Sequence, residues 1–203
     1  MSDLDRLEDL VKAAKRAGAD SADALIVGSM SLSVQHRLGK IEELERSESA
    51  DLGLRVFIGK RQAIVSSTDV DPRRFDALAE RAVAMARVVP EDPFGGIPEA
   101  VPVPPLDLDL LDSMEPDAES LIARAAAAED AALAVGGVTN SEGASASWGR
   151  AAVALVTSRG FAGGYARTSH AVSATALAGS GTAMERDWDY SSVLHLSDLG
   201  DAA

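Results

Sequence analysis

One stretch constrains the chain more than any other: Leu52 to Asp69, Leu-Gly-Leu-Arg-Val-Phe-Ile-Gly-Lys-Arg-Gln-Ala-Ile-Val-Ser-Ser-Thr-Asp. Leu52, Leu54, Val56 and Ile58 share one face of an extended segment, with Gly53, Arg55 and Phe57 on the other. A period of two marks a half-buried strand. Gly59-Lys60 supplies a tight turn, because glycine accepts positive φ at little cost. Ala63 to Ser67 returns as a second apolar strand. Asp71-Pro72 then opens a helix, with aspartate suited to the cap and proline to the first turn.

The rest of the chain repeats this vocabulary. Ser2 or Asp3 caps a first helix carrying Leu4, Leu7, Val11 and Ala14 at helical spacing, and Gly18 stops it. Ala22 to Val27 and Ser29 to Arg37 read as strands, the second alternating Met30, Leu32 and Val34 with Ser31, Ser33 and Gln35. His36 continues the apolar face. Gly39-Lys40 turns the chain into Ile41 to Ser49, whose Glu42, Glu43, Glu45, Arg46 and Glu48 suit a solvated face or sheet edge. The helix from Pro72 to about Val88 presents Phe75, Leu78, Ala79, Ala82 and Ala86 on one stripe, and Pro90 ends it.

Six of the eight prolines fall between Pro90 and Pro105, so this segment reads as an extended crossover. Pro116 opens a long helix with Leu121, Ala125, Ala128, Ala132 and Val135 aligned, ended by Gly136-Gly137. Strands are expected at Ala151 to Thr157, Phe161 to Arg167, Ser169 to Ala178 and Thr182 to Tyr190. Gly163-Gly164 marks a bulge or a close backbone approach. A helix followed by an antiparallel meander therefore occurs twice, in halves of about 1–89 and 115–203 joined by a crossover at 90–114. The fold class is α+β, with helices packed on a largely antiparallel sheet.

Chemistry is sparse. There is no cysteine, which excludes disulfides, thiolate metal sites and thiol catalysis within the chain. His36, His170 and His195 are far apart, and none sits in a His-Glu-x-x-His or His-Glu-x-x-x-His zinc motif, so each is expected to be structural or exposed. No Gly-x-Ser-x-Gly elbow or phosphate loop is present. The residues mark out no catalytic and no metal-ligating set. Two clusters stand as interface or peptide-contact candidates: Ser67, Thr68 and Asp69 at a helix entry, and Glu185, Arg186 and Asp187. Each has a plain structural reading, hydroxyls satisfying a turn and cap in the first, an ion pair in the second. Alternation places Arg186 opposite Glu185 and Asp187. A net charge of −13 repels phosphate backbones and disfavours direct nucleic-acid binding. No basic, apolar leader and no membrane-length apolar run appears, so a cytoplasmic protein without membrane contact is expected.

Leu-Gly-Leu-Arg-Val-Phe followed by Val-Ser-Ser-Thr-Asp resembles the amino-terminal domain of the TldD/PmbA proteins, also called modulators of DNA gyrase. Glu91-Asp92-Pro93, Asp107-Leu108-Asp109-Leu110 and Ala183-Met184-Glu185-Arg186-Asp187-Trp188-Asp189-Tyr190 follow in family order, the last pointing to the PmbA (TldE) branch. The resemblance covers essentially all of 1–203. It implies a two-domain family that pairs into dimers, whose TldD branch carries a His-Glu-x-x-x-His zinc site and cleaves unfolded peptides. It further implies that this chain is the amino-terminal domain of a PmbA-like subunit, with the carboxy-terminal domain absent, no cofactor of its own, and zinc in a TldD-type partner. Expected partners are a TldD-like subunit or a second copy, and unfolded peptides. The competing expectation is a non-enzymatic peptide-binding or protein-interaction scaffold.

Overall fold

The computed structural model describes residues 2–100 and 106–202. Part of the proline-rich crossover, residues 101–105, lies outside them. Among the described residues three α-helices accompany six strands in an antiparallel sheet of order β3-β2-β1-β4-β5-β6. The helices are α1 (Asp3–Ala17), α2 (Phe75–Val88) and α3 (Ala118–Leu133). The strands are β1 (Ser21–Arg37), β2 (Lys40–Ile58), β3 (Arg61–Ser67), β4 (Val138–Thr157), β5 (Ala162–Ala178) and β6 (Glu185–Val193). This is the α+β class expected from the sequence. Among the described residues no helix is long and apolar enough to cross a membrane.

The chain divides into two compact units. One comprises Met1–Gly28, Ser49–Leu106 and Ala152–Tyr165, the other Ser29–Glu48, Asp107–Ala151 and Ala166–Ala203. Each takes segments from both sides of the crossover.

In the first unit, Ser2 accepts from the Asp5 amide while Asp5 reaches back to the Ser2 amide, a capping box that satisfies two otherwise orphaned donors. Gly18 closes α1 at φ 105°. Leu7, Leu10, Val11 and Ala14 of α1 and Phe75, Ala79, Ala82 and Ala86 of α2 pack with Leu52, Leu54 and Val56 in one core. The Leu52–Asp69 hairpin pairs as its periodicity demands, Leu54 opposite Val65 and Val56 opposite Ala63. The helix after Asp71 begins as a single 3₁₀ turn, Pro72–Arg74, before becoming α-helical at Phe75.

In the second unit, Leu32 and Val34 of β1, Ala146 and Trp148 of β4, and Leu121 and Ala125 of α3 form a smaller core. Asp117, not Pro116, caps α3, accepting from the Ser120 amide at 2.8 Å. The expected stripe ends early: Val135 lies beyond the helix and is 60% exposed, while Glu129 is buried in its place.

Three expected strand boundaries vanish. Ala22–Val27 merges with Ser29–Arg37, Ile41–Ser49 with the hairpin strand, and Phe161–Arg167 with Ser169–Ala178. β4 extends back to Val138, through Gly143 and Gly149. Pairing with neighbours keeps glycine and serine extended where local preference signals a turn. Gly164 is a close approach: a Cβ there would sit 2.4 Å from the Val153 carbonyl oxygen. β6 starts at Glu185 rather than Thr182, because Gly181–Ala183 forms a 3₁₀ turn.

Candidate functional site

The first candidate cluster, in the first unit, is a self-satisfied turn. The Ser67 hydroxyl accepts from the Asp69 amide at 2.9 Å, and Asp69 accepts from the Asp71 amide at 3.0 Å. Asp69 also approaches Arg74 at 3.7 Å, and Thr68 is exposed beside it. Asp71 in turn accepts from the Arg73 amide and side chain. The Arg73 guanidinium lowers the Asp71 carboxyl to about 2.

The second cluster, in the second unit, lies on β6, the last strand of the sheet, where residues 185–190 are all exposed. Its register against β5 sets Glu185, Asp187 and Asp189 opposite Ala178, Ala176 and Ala174 on one face. Arg186, Trp188 and Tyr190 stand opposite Leu177, Thr175 and Ser173 on the other. Arg186 donates to Glu142 of β4 at 2.6 Å. Trp188 and Tyr190 stack, with centroids 5.6 Å apart and planes 23° from parallel. Both remain more than half exposed.

Neither aromatic is among the candidate residues read from the sequence. Period-two alternation with two aromatics two positions apart was the available signal. It did not show the backbone arrangement. Asp187 accepts from the Trp188 amide at 2.9 Å, and Asp189 accepts from the Tyr190 amide at 2.8 Å. Alternate amides of an end strand turn away from its neighbour, and these two are closed by carboxylates of the strand itself. On the acidic face a cavity of about 370 Å³ opens beside β6. Its walls include Ala128 and Ala132 of α3, Val172 and Ala174 of β5, Asp189 and Leu199.

The first unit has its own cavity, about 360 Å³, where Ile97 and Phe161 flank the Asp23–Arg55 ion pair. Arg55 donates Nε to Asp23 at 3.0 Å and lies 5.3 Å over the Phe57 ring.

Two histidines are paired in the interior of the second unit. His36 Nδ1 lies 2.9 Å from Glu129 Oε2, with Glu129 only 1% exposed. Burial pushes the Glu129 carboxyl up. Ser141, the Leu38 amide and His36 together outweigh it, and the carboxyl ends below its ordinary value. His170 Nε2 lies 3.2 Å from Asp112, which accepts from the Leu196 amide at 2.7 Å and the Met114 amide at 2.9 Å. Those amides hold the Asp112 carboxyl low, while desolvation holds His170 below 6.5 despite Asp112. His195, at the rim, contacts the Asp109 carbonyl at 2.8 Å and is raised by it. The His36 pair ties β1 to α3, and the His170 and His195 contacts tie residues 109–114 and 194–196 to β5; they are fastenings of the fold.

Residues 22–86 match the family model for PmbA/TldA metallopeptidase domain 1, and residues 112–203 match the model for the PmbA/TldA metallopeptidase central domain. The chain belongs to the PmbA/TldD family. It is 32% identical over 184 residues to Metalloprotease PmbA of Escherichia coli O157:H7, covering 89% of this chain and 41% of that protein. It is 29% identical over 185 residues to the Metalloprotease PmbA homolog of Haemophilus influenzae, covering 89% and 40%. The chain thus spans about two fifths of the length of these relatives. Among solved structures, a Bacteroides thetaiotaomicron protein described as a modulator of DNA gyrase shares the fold with TM-score 0.87 at 20% identity, over 97% of this chain and 46% of that one. TldE from Thermococcus kodakarensis does so with TM-score 0.79 at 15% identity, over 96% and 44%.

A metallopeptidase needs a metal held by converging donors. Among the described residues no three His, Asp or Glu side chains converge so as to hold a metal ion. His170 and Asp112 come together, but the Asp112 oxygens are already taken by backbone amides. The described residues do not fit a zinc site.

Proposed function

We propose that this chain is the part of a PmbA/TldE-like metallopeptidase subunit that admits extended peptides to a reaction performed elsewhere in the assembly. The observation that carries the reading is β6: an end strand, exposed over residues 185–190, with a stacked aromatic pair on one face and three carboxylates on the other. An extended segment adds to such an edge through main-chain hydrogen bonds, which are independent of sequence and suit unfolded substrates. Glu185, Arg186 and Asp187 then act as peptide contacts, and Ser67, Thr68 and Asp69 as a surface turn available to a partner. In this reading the chain works in the cytoplasm, paired with a TldD-like subunit or a second copy, and the zinc belongs to the TldD-like subunit.

The test is cleavage of an unstructured peptide by the chain alone, by the chain with a zinc-bearing TldD-like subunit, and by that mixture with chelator. The expected result is cleavage only in the mixture, abolished by chelation. Chelator-sensitive cleavage by the chain alone overturns the division of labour. Absence of cleavage in the mixture, with saturable peptide binding by the chain, favours a non-enzymatic scaffold instead.

A further inference from the structure

We infer that β6 is a charge-gated edge, selective for extended peptides with Lys or Arg at every second position and apolar or aromatic residues between them. The inference rests on the strand-addition reading above and deepens it.

Two outward amides of β6 are occupied. Asp187 closes the Trp188 amide at 2.9 Å, and Asp189 closes the Tyr190 amide at 2.8 Å. A strand arriving at this edge needs those amides as donors to its own carbonyls. It gains little unless the two carboxylates leave. They leave most readily for something that binds a carboxylate better than a neutral amide does, which is an ammonium or guanidinium group.

Register decides where that cation must be. Glu185, Asp187 and Asp189 occupy alternate positions on one face of β6, opposite Ala178, Ala176 and Ala174. An added strand projects alternate side chains to that same face, so its basic residues meet the acidic row in step. Beyond the row lies the cavity of about 370 Å³, with alanine and valine walls and Asp189 at its margin. Such a space takes the aliphatic stem of lysine or arginine while its charged head stays with the carboxylate. The intervening residues of the peptide fall on the opposite face, beside Trp188 and Tyr190, whose rings are stacked and exposed. Arg186 on that face is already engaged by Glu142, so it does not oppose a basic ligand with a free charge.

Without a basic strand, the aspartates keep the edge shut and protect the protein from indiscriminate pairing. With one, the same two side chains change from caps to counter-ions, and the amides behind them become available.

The experiment is fluorescence anisotropy with labelled decapeptides on the full 203-residue chain. The probes alternate Lys–Leu, Ser–Leu and Glu–Leu; a fourth is Lys–Leu interrupted by prolines. The Lys–Leu peptide is expected to bind at least tenfold more tightly than Ser–Leu, and the margin to shrink in added salt. In the Asp187→Ala/Asp189→Ala variant the edge stands open. The Ser–Leu peptide should then bind several-fold more tightly than to the native chain, while the Lys–Leu advantage falls. Equal binding of Lys–Leu and Ser–Leu to the native chain overturns the charge gate and leaves strand addition standing. Equal binding of the interrupted and uninterrupted Lys–Leu peptides overturns strand addition, and the gate with it. A variant that loses affinity for both peptides overturns the capping role of the two aspartates. Absence of saturable binding by every peptide overturns both readings.

Discussion

Replacing His36 by alanine tests the interior of the second unit. Glu129 sits on α3 with 1% exposure, its Oε2 2.9 Å from His36 Nδ1 on β1. Removing the imidazole leaves a buried carboxylate oxygen without its hydrogen-bond partner. Breaking a buried pair by deleting one partner costs about 3–5 kcal/mol. Glu129 Oε1 is buried without a hydrogen-bond partner, so the expected loss lies well within that range, about 4 kcal/mol. Glu129→Gln should cost less, about 1 kcal/mol, because the amide keeps the shape and can still hydrogen-bond the imidazole. The double variant should fall short of the sum by about 2 kcal/mol, since the charged hydrogen bond is removed only once.

The pH dependence adds a second arm. The folded carboxyl of Glu129 lies below its ordinary 4.5, so on acidification the unfolded chain takes up the proton first. The stabilisation from this group is therefore complete above pH 4.5 and is lost as pH falls through the folded value. The deficit of Glu129→Gln should narrow over that interval. Urea unfolding followed by fluorescence reads both arms, because Trp148 is buried in the same core. Single effects that add to within about 0.4 kcal/mol would refute the coupling. A Glu129→Gln deficit that stays constant down to pH 3 would refute the assignment of the titrating group.

Two further outcomes follow from the geometry. Gly164→Ala should cost about 2 kcal/mol in urea unfolding, since its Cβ would meet the Val153 carbonyl oxygen at 2.4 Å, whereas Gly53→Ala, with nothing within 4 Å, should be neutral or slightly stabilising. By NMR titration His170 should titrate below 6.5, because burial disfavours its cation, and His195 above 6.5, because the Asp109 carbonyl favours its cation. The contribution of His170 thus weakens as pH falls from 6.5 towards its folded value. That of His195 is complete below 6.5 and is lost as pH rises through its folded value. The reverse order of the two titrations would contradict the structure.

The sequence made the regular elements legible wherever one physical signal dominated. Ser2, Gly18 and Asp71 mark helix ends through hydrogen bonds that span only a few residues. Leu52 to Ser67 reads as a hairpin because a two-residue period needs only local contrast between faces. Val138 to Arg150 was not resolved as a strand of its own, because Ser, Asn and Gly there prefer turns and are held extended by neighbours on both sides. Val135 looked like core because helical spacing continues arithmetically past the point where the helix stops.

The candidate site shows the same division. Alternation alone set Arg186 apart from Glu185 and Asp187, because side-chain direction in a strand is local. It could not show that β6 lies at the end of the sheet, that α3 and Leu199 leave a cavity beside Asp189, or that the aspartates close the amides of Trp188 and Tyr190. Nor could spacing pair His36 with Glu129 or His170 with Asp112, which are separated by 93 and 58 positions and meet only when α3 and residues 109–114 pack in place. The sequence by itself determined which segments are helix or strand and which face of each is apolar, since those depend on neighbours a few residues away. Tertiary structure alone decided which strand stands at the edge, which carboxylates are buried and which amides face outward, since those depend on what the chain brings from far away.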